Sequence, residues 1–203
     1  MPERAAIDRP LLPGEYAVLG LLAVAPRHGY DLTRALASDL GAVCPVEQSL
    51  LYAYLRNLEG RGLLEWEEVR VGRRPVRRIY APTEEGWVTL RAWMHAPVER
   101  MREVRQDLLL KIYFLRALDP TAEQPLLARQ VEVCERYLNR ETAALADAEG
   151  FSKLVAASRH SAALATIAWL RTHLYAPPSR RAARRSDSGA SDGPAQERVH
   201  RAS

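Results

Sequence analysis

Apolar residues recur at helical spacing along most of this chain and alternate at strand spacing in one short region. Leu51, Leu55 and Leu58 fall at i, i+4 and i+7, which predicts an amphipathic helix. Gln48, Ser49, Tyr52 and Arg56 lie off that stripe, on the side left to solvent. Gly62 follows where helices often end in left-handed backbone. Leu64, Trp66 and Val69 then mark a strand, Gly72-Arg73-Arg74-Pro75 a turn, and Val76, Ile79 and Tyr80 a return strand. Upstream, Val18, Leu19, Leu21 and Leu22 predict a helix that starts after Pro13-Gly14 and is broken by Pro26. His28-Gly29-Tyr30-Asp31 turns into a second helix reaching about Leu40, with Leu32 and Leu36 inward and Asp31 as its cap.

Downstream of the hairpin the pattern is helical throughout. Thr83 caps a helix whose apolar side is Trp87, Leu90, Trp93 and Met94, with Pro97 as its breaker. Leu108, Leu109, Ile112, Leu115 and Leu118 mark a further helix ended by Asp119-Pro120. Residues from Thr121 to about Glu149 and from Leu154 to Tyr175 mark two longer ones separated by Gly150. They are rich in Ala, Leu, Arg and Glu, which favour helix. The predicted fold is therefore mainly α with a small β-hairpin wing. Its predicted parts are a flexible arm (1–10), a winged helix-turn-helix domain (11–86), a helical dimerisation domain (87–176) and a disordered basic tail (177–203). The tail holds almost no large apolar side chain, so it cannot bury a core.

Charge sharpens this picture. The 203 residues carry a net charge of only +4, but five arginines and no acid lie between Val69 and Tyr80 (Arg70, Arg73, Arg74, Arg77 and Arg78). An exposed helix beside an arginine-rich hairpin is the layout of a DNA reader that puts the helix in the major groove and the wing on phosphates. Gln48 and Ser49 can reach base edges, Gln pairing bidentately with adenine. Tyr52 can donate its hydroxyl to a phosphate or base, and Arg56, Arg73, Arg74 and Arg77 suit phosphates. Each also has a plainer reading: Tyr52 as packing against the hairpin, Gln48 and Ser49 as surface polar groups, Arg56 as a solvated charge.

Other chemistry is sparse. No nucleophile elbow, phosphate loop, zinc-binding HExxH or paired-cysteine motif is present, so the reading excludes an enzyme and calls for no metal or cofactor. Cys44 and Cys134 are far apart and read as reduced thiols. No apolar run approaches the ~18 residues of a membrane span, and the N-terminus lacks a signal peptide's apolar core. The expectation is a cytoplasmic protein with no membrane partner. Tryptophans are more often core or interface than ligand contacts; of the four, Trp93, with His95 nearby, is the candidate for a small aromatic effector.

Three stretches together resemble the PadR family of bacterial transcriptional regulators. They are HGYDLTRAL, SLLYAYLRNLEGRGLLE and GRRPVRRIYAPTEEG. Ile79 and Pro82 depart from the usual pattern at the end of the second wing strand. DLLLKIYFLRAL and AWLRTHL in the C-terminal half are similar to the longer, virulence-activator-like subgroup. The resemblance spans about Leu11 to Tyr175. It implies a homodimer joined through C-terminal helices, binding double-stranded DNA at an inverted-repeat operator, acting as a repressor and released by a small aromatic compound. Two alternatives stand beside it: a winged-helix protein-interaction module, and a MarR-type regulator, whose dimer uses helices from both ends of the chain.

Overall fold

A computed structural model of the chain describes residues 9–70 and 77–174. These divide into two compact units between Met94 and His95, one helix later than the boundary at residues 86 and 87 expected from the sequence. The arm before Arg9, the wing tip with Arg73 and Arg74, and the tail from Tyr175 on lie outside the described residues.

The first unit begins with α1 (Pro13–Val24). Ala17, Val18, Leu19, Leu21 and Leu22 are all buried there, so this helix is the centre of the unit's core. A two-residue strand, β1 (Arg27–His28), leads into α2 (Gly29–Ala35) and a π-helical turn (Leu36–Leu40). The N-cap of α2 is His28, with no side-chain cap bond. Asp31 is therefore not the cap; it lies in the first turn, where a carboxylate suits the positive helix end. The next helix, α3 (Gln48–Gly60), buries Leu51, Leu55 and Leu58 as their spacing requires. Gly62 closes it with φ +70°, a conformation that favours glycine.

The wing is larger than a hairpin. β2 (Leu64–Val69) and β3 (Arg77–Pro82) pair antiparallel, and β1 adds to the other side of β3, giving the order β1-β3-β2. Arg27 and Trp66 flank Tyr80 in register. The strand carrying Arg77 and Arg78 is thus central, and its outer neighbour is acidic, with Glu68 opposite Arg78 and Glu67 opposite Ile79. Thr83 then caps α4 (Glu84–His95), accepting the Gly86 N–H at 3.1 Å and donating to the Gly62 carbonyl at 2.6 Å. One hydroxyl so ties the exit of α3 to the start of α4.

In the second unit, a 3-10 turn (Met101–Glu103) and a π-helical turn (Val104–Leu108) precede α5 (Leu109–Leu118). α5 is buried at Leu110, Lys111, Ile112, Phe114 and Leu115. Leu109 and Leu118, expected inward, are only half-buried, because the buried face includes Leu110 and Phe114. A further 3-10 turn (Pro120–Ala122) leads to α6 (Glu123–Asp147), which packs along α7 (Gly150–Leu174). Beyond Cys134 no residue of α6 is buried. The buried Gln130 side chain accepts the Val98 N–H and donates to the Val98 carbonyl, at 2.7 and 2.9 Å. It satisfies both polar groups of a backbone residue that no helix or strand serves.

Candidate nucleic-acid interface

The outward face of α3 is polar and continuous. Gln48, Tyr52 and Arg56 follow one another at four-residue steps, Ser49 lies beside them, and all are exposed. On the opposite face Leu51, Leu55 and Leu58 fix the helix to the core. Two further contacts set its position. The Tyr54 ring lies against Gly14 of α1 so closely that a Cβ there would sit 2.5 Å from it. Asn57 donates to the buried Glu15 carboxylate at 2.6 Å. Glu15 also accepts the Leu12 N–H and a two-pronged pair from Arg9, and Arg61 donates to the Arg9 carbonyl at 3.0 Å. Burial tends to raise the Glu15 pKa; its Arg9, Leu12 and Asn57 partners outweigh that and hold it below the usual value.

Between α3 and the sheet runs an open groove of about 550 Å³ lined by His28, Gly29, Tyr30, Tyr52, Arg77, Arg78 and Tyr80. No acid lines it. The sheet order fits this: the groove is lined by residues of β1 and β3, and the glutamates of β2 lie on the other side of β3. His28 Nδ1 lies 3.3 Å from the Arg78 carbonyl. Arg78 places its guanidinium 3.9 Å over the Trp66 ring, a cation–π contact, and Trp66 Nε1 donates to Glu59 of α3 at 2.6 Å.

Of the residues expected from the sequence, Gln48, Ser49, Tyr52 and Arg56 share one surface, and Arg77 lies across the groove from Tyr52. His28, Tyr30 and Tyr80 were missed as groove residues. Their sequence signal is their place in two of the motifs quoted above, His28 and Tyr30 in HGYDLTRAL and Tyr80 in GRRPVRRIYAPTEEG. Trp93 lies in the first unit and His95 opens the second. Trp93 stacks on Tyr16 with ring centroids 4.2 Å apart, and His95 Nε2 is 3.0 Å from an Asp119 carboxylate oxygen.

Residues 18–92 match the model of the transcriptional regulator PadR-like family. That stretch runs from within α1 to within α4 and contains the interface just described. This part of the chain is a PadR-like domain. The negative transcriptional regulator PadR of Bacillus subtilis is 28% identical over 147 residues, covering 71% of this chain and 76% of the relative. The solved structure of Bacillus subtilis PadR in complex with operator DNA is 23% identical, covers 82% of this chain and 98% of its own, and gives a TM-score of 0.43. The complex of the same regulator with p-coumaric acid is 24% identical, covers 82% and 96%, and gives 0.37. The PadR-like class is one of transcriptional regulators and not of enzymes. Among the described residues no helix is long and apolar enough to cross a membrane.

Proposed function

We propose that this PadR-like chain is a cytoplasmic repressor that binds an inverted-repeat operator as a homodimer. The observation that carries the reading is the exposed row Gln48, Ser49, Tyr52 and Arg56 beside a groove lined by arginine and tyrosine without an acid. α3 enters the major groove, Gln48 and Ser49 meet base edges, and Arg56 and Arg77, with Arg73 and Arg74 at the wing tip, meet phosphates. The operator complex of Bacillus subtilis PadR, a relative of this chain, agrees with DNA as the partner.

The dimer reading is supported by α7. Ala156, Ala163, Ile167 and Leu170 form its buried stripe. At helical spacing on the other side, Phe151, Leu154, Ala162, Ala165 and Trp169 are exposed, Phe151 at 78% and Leu154 at 64%. A second apolar stripe on a helix that already has a buried one fits an interface, and a two-fold axis is the commonest arrangement. Leu108, Ile112, Leu115 and Ile167 are buried within the chain and take no part in this stripe.

The proposal extends to release by a small aromatic effector, such as the p-coumaric acid held by Bacillus subtilis PadR. Trp93 and His95 are its candidate contacts, and each also has a partner within its own unit. Selection of duplexes from a random pool by the purified chain tests the whole reading. An inverted-repeat consensus is expected, and its absence would refute the operator reading. Arg73→Ala with Arg74→Ala should lower the slope of log K against log salt by up to about 2. Gln48→Ala should relax one base position and no other. Loss of the DNA complex on adding p-coumaric acid tests the effector.

A further inference from the structure

Tyr52 occupies a different place from its neighbours on α3. Gln48 and Ser49 open the helix and line no wall of the groove, whereas Tyr52 forms the groove's α3 side. Its ring edge and hydroxyl end lie against Gly29. A Cβ on Gly29 would stand 3.3 Å from both Tyr52 Cε1 and Oη, closer than ordinary contact. Gly29 has no positive φ, so its lack of a side chain is a matter of room and not of backbone conformation. Across the groove stand Arg77 and Tyr80 of β3, and the His28 to Arg78 contact ties β1, which leads directly into Gly29, to that strand. The space of about 550 Å³ is wide and open, and among the described residues no carboxylate lines it. A shape open to solvent with hydroxyls on one wall and a guanidinium on the other suits a tetrahedral oxyanion that arrives on a long chain. It does not suit a base edge, which must be met flat and in plane.

We infer that the groove holds one backbone phosphate of the bound duplex, clasped between the Tyr52 hydroxyl and the Arg77 guanidinium, and that Gly29 is the positioning residue that sets the hydroxyl. Tyr52 Oη donates to one non-bridging oxygen and Arg77 to the other. The inference rests on the DNA reading and assigns Tyr52 to sequence-independent positioning, in contrast to Gln48. Arg78 plays a separate part, since its guanidinium lies on the Trp66 ring and stiffens the sheet.

The full-length chain is titrated with the selected duplex and with a random-sequence duplex of equal length. Tyr52→Phe removes only an exposed hydroxyl and should leave the melting temperature unchanged. It should weaken both duplexes by the same factor, about three- to tenfold, and Arg77→Gln should weaken both and lower the salt slope by about 1. Gly29→Ala should weaken both duplexes as Tyr52→Phe does, and the double variant should bind no worse than either single one, because both remove the same contact. Equal affinity of Tyr52→Phe and parent for the random duplex, with loss on the selected one alone, makes Tyr52 a base reader and overturns the assignment. Additive losses in the double variant overturn the role given to Gly29. If the parent chain binds neither duplex, the DNA reading itself fails; if it binds both and no groove variant matters, the phosphate site alone fails.

Discussion

Glu15 shows how one residue can couple sequence-distant parts of a domain. Its side chain is fully buried, yet the carboxylate collects the Leu12 N–H at 2.7 Å, the Arg9 guanidinium at 2.6 and 2.9 Å, and the Asn57 amide at 2.6 Å. The result caps α1 and anchors the outward helix α3 at the same atoms. A buried charge is tolerable only when its lone pairs are met in this way. Glu15→Gln keeps the volume and removes the charge, leaving Arg9 and the Leu12 N–H competing for one carbonyl. Thermal and denaturant unfolding should record a loss of about 2 kcal/mol. The sign with pH follows from the lowered folded pKa. The charged form is favoured by folding, so its contribution is complete above the ordinary glutamate value of about 4.3 and disappears as pH falls through the folded value. The acid limb of the stability curve should be shallower in the variant; an unchanged limb would mean the network adds nothing to the charged state.

Between elements, Gly86 is the glycine with least room for a side chain among the described residues. It is buried in the first turn of α4, and a Cβ there would collide with the Leu63 carbonyl, 3.4 Å from a Leu19 methyl. Backbone must move to admit any side chain, so Gly86→Ala should destabilise the first unit by about 1–3 kcal/mol, read from the denaturant midpoint. An alanine variant as stable as the parent would show that α4 can shift freely. The second unit offers a titrating counterpart. Lys111 is buried, donates to the Ala96 carbonyl at 2.6 Å, and is brought down to about 8 by burial, against the attraction of Asp107 and Glu103. Burial also pushes Asp107 up, and one of its oxygens is buried without a partner among the described residues. Between about pH 8 and the unfolded value near 10.4, the unfolded chain binds a proton the folded one has released. Stability of this unit should therefore rise with pH across that window. Lys111→Met should abolish the rise and leave the unit more stable near neutrality; a rise that persists would assign it to another group.

These elements also mark how far sequence alone carries. α3 was legible because one face is apolar and the other polar, so the period is written in the residues: Leu51, Leu55 and Leu58 against Gln48, Tyr52 and Arg56. Gly62 and Thr83 were legible because a terminus needs a particular backbone or hydroxyl. β1 was not, since two residues have no period and Arg27-His28 is a strand only through its pairing with β3. The groove was hidden for the same reason: it joins His28, Tyr52 and Arg77, which nothing local connects. In α5 the period misled, as Leu110 and Phe114 share a burial that spacing gave to Leu109 and Leu118. Lys111 reads as a surface charge until its surroundings are known.

Assembly of the whole molecule depends on what covers the outer stripe of α7. Phe151 and Leu154 are exposed at 78% and 64%, and Trp169 at 36%, which leaves a run of apolar surface open among the described residues of the single chain. Water contact with such a stripe is unfavourable by about 25 cal/mol for each Å², so pairing of two chains along it would stabilise the proposed dimer directly. Under the two-fold symmetry proposed above, each outward α3 would meet a successive major-groove face about 34–36 Å from its mate. Binding of one half-site then raises the effective concentration of the other. Leu154→Glu with Ala165→Glu places two carboxylates on the stripe, at exposed positions where the single chain's core is untouched. Sedimentation should show a monomer with an unchanged melting profile for the first unit. Its affinity for an inverted repeat should fall to that for a single half-site, while the groove variants would weaken both duplexes without altering the mass. A double variant that remains dimeric would remove α7 from the interface, and a monomer that binds the full operator as tightly as the parent would show that the two recognition helices act independently.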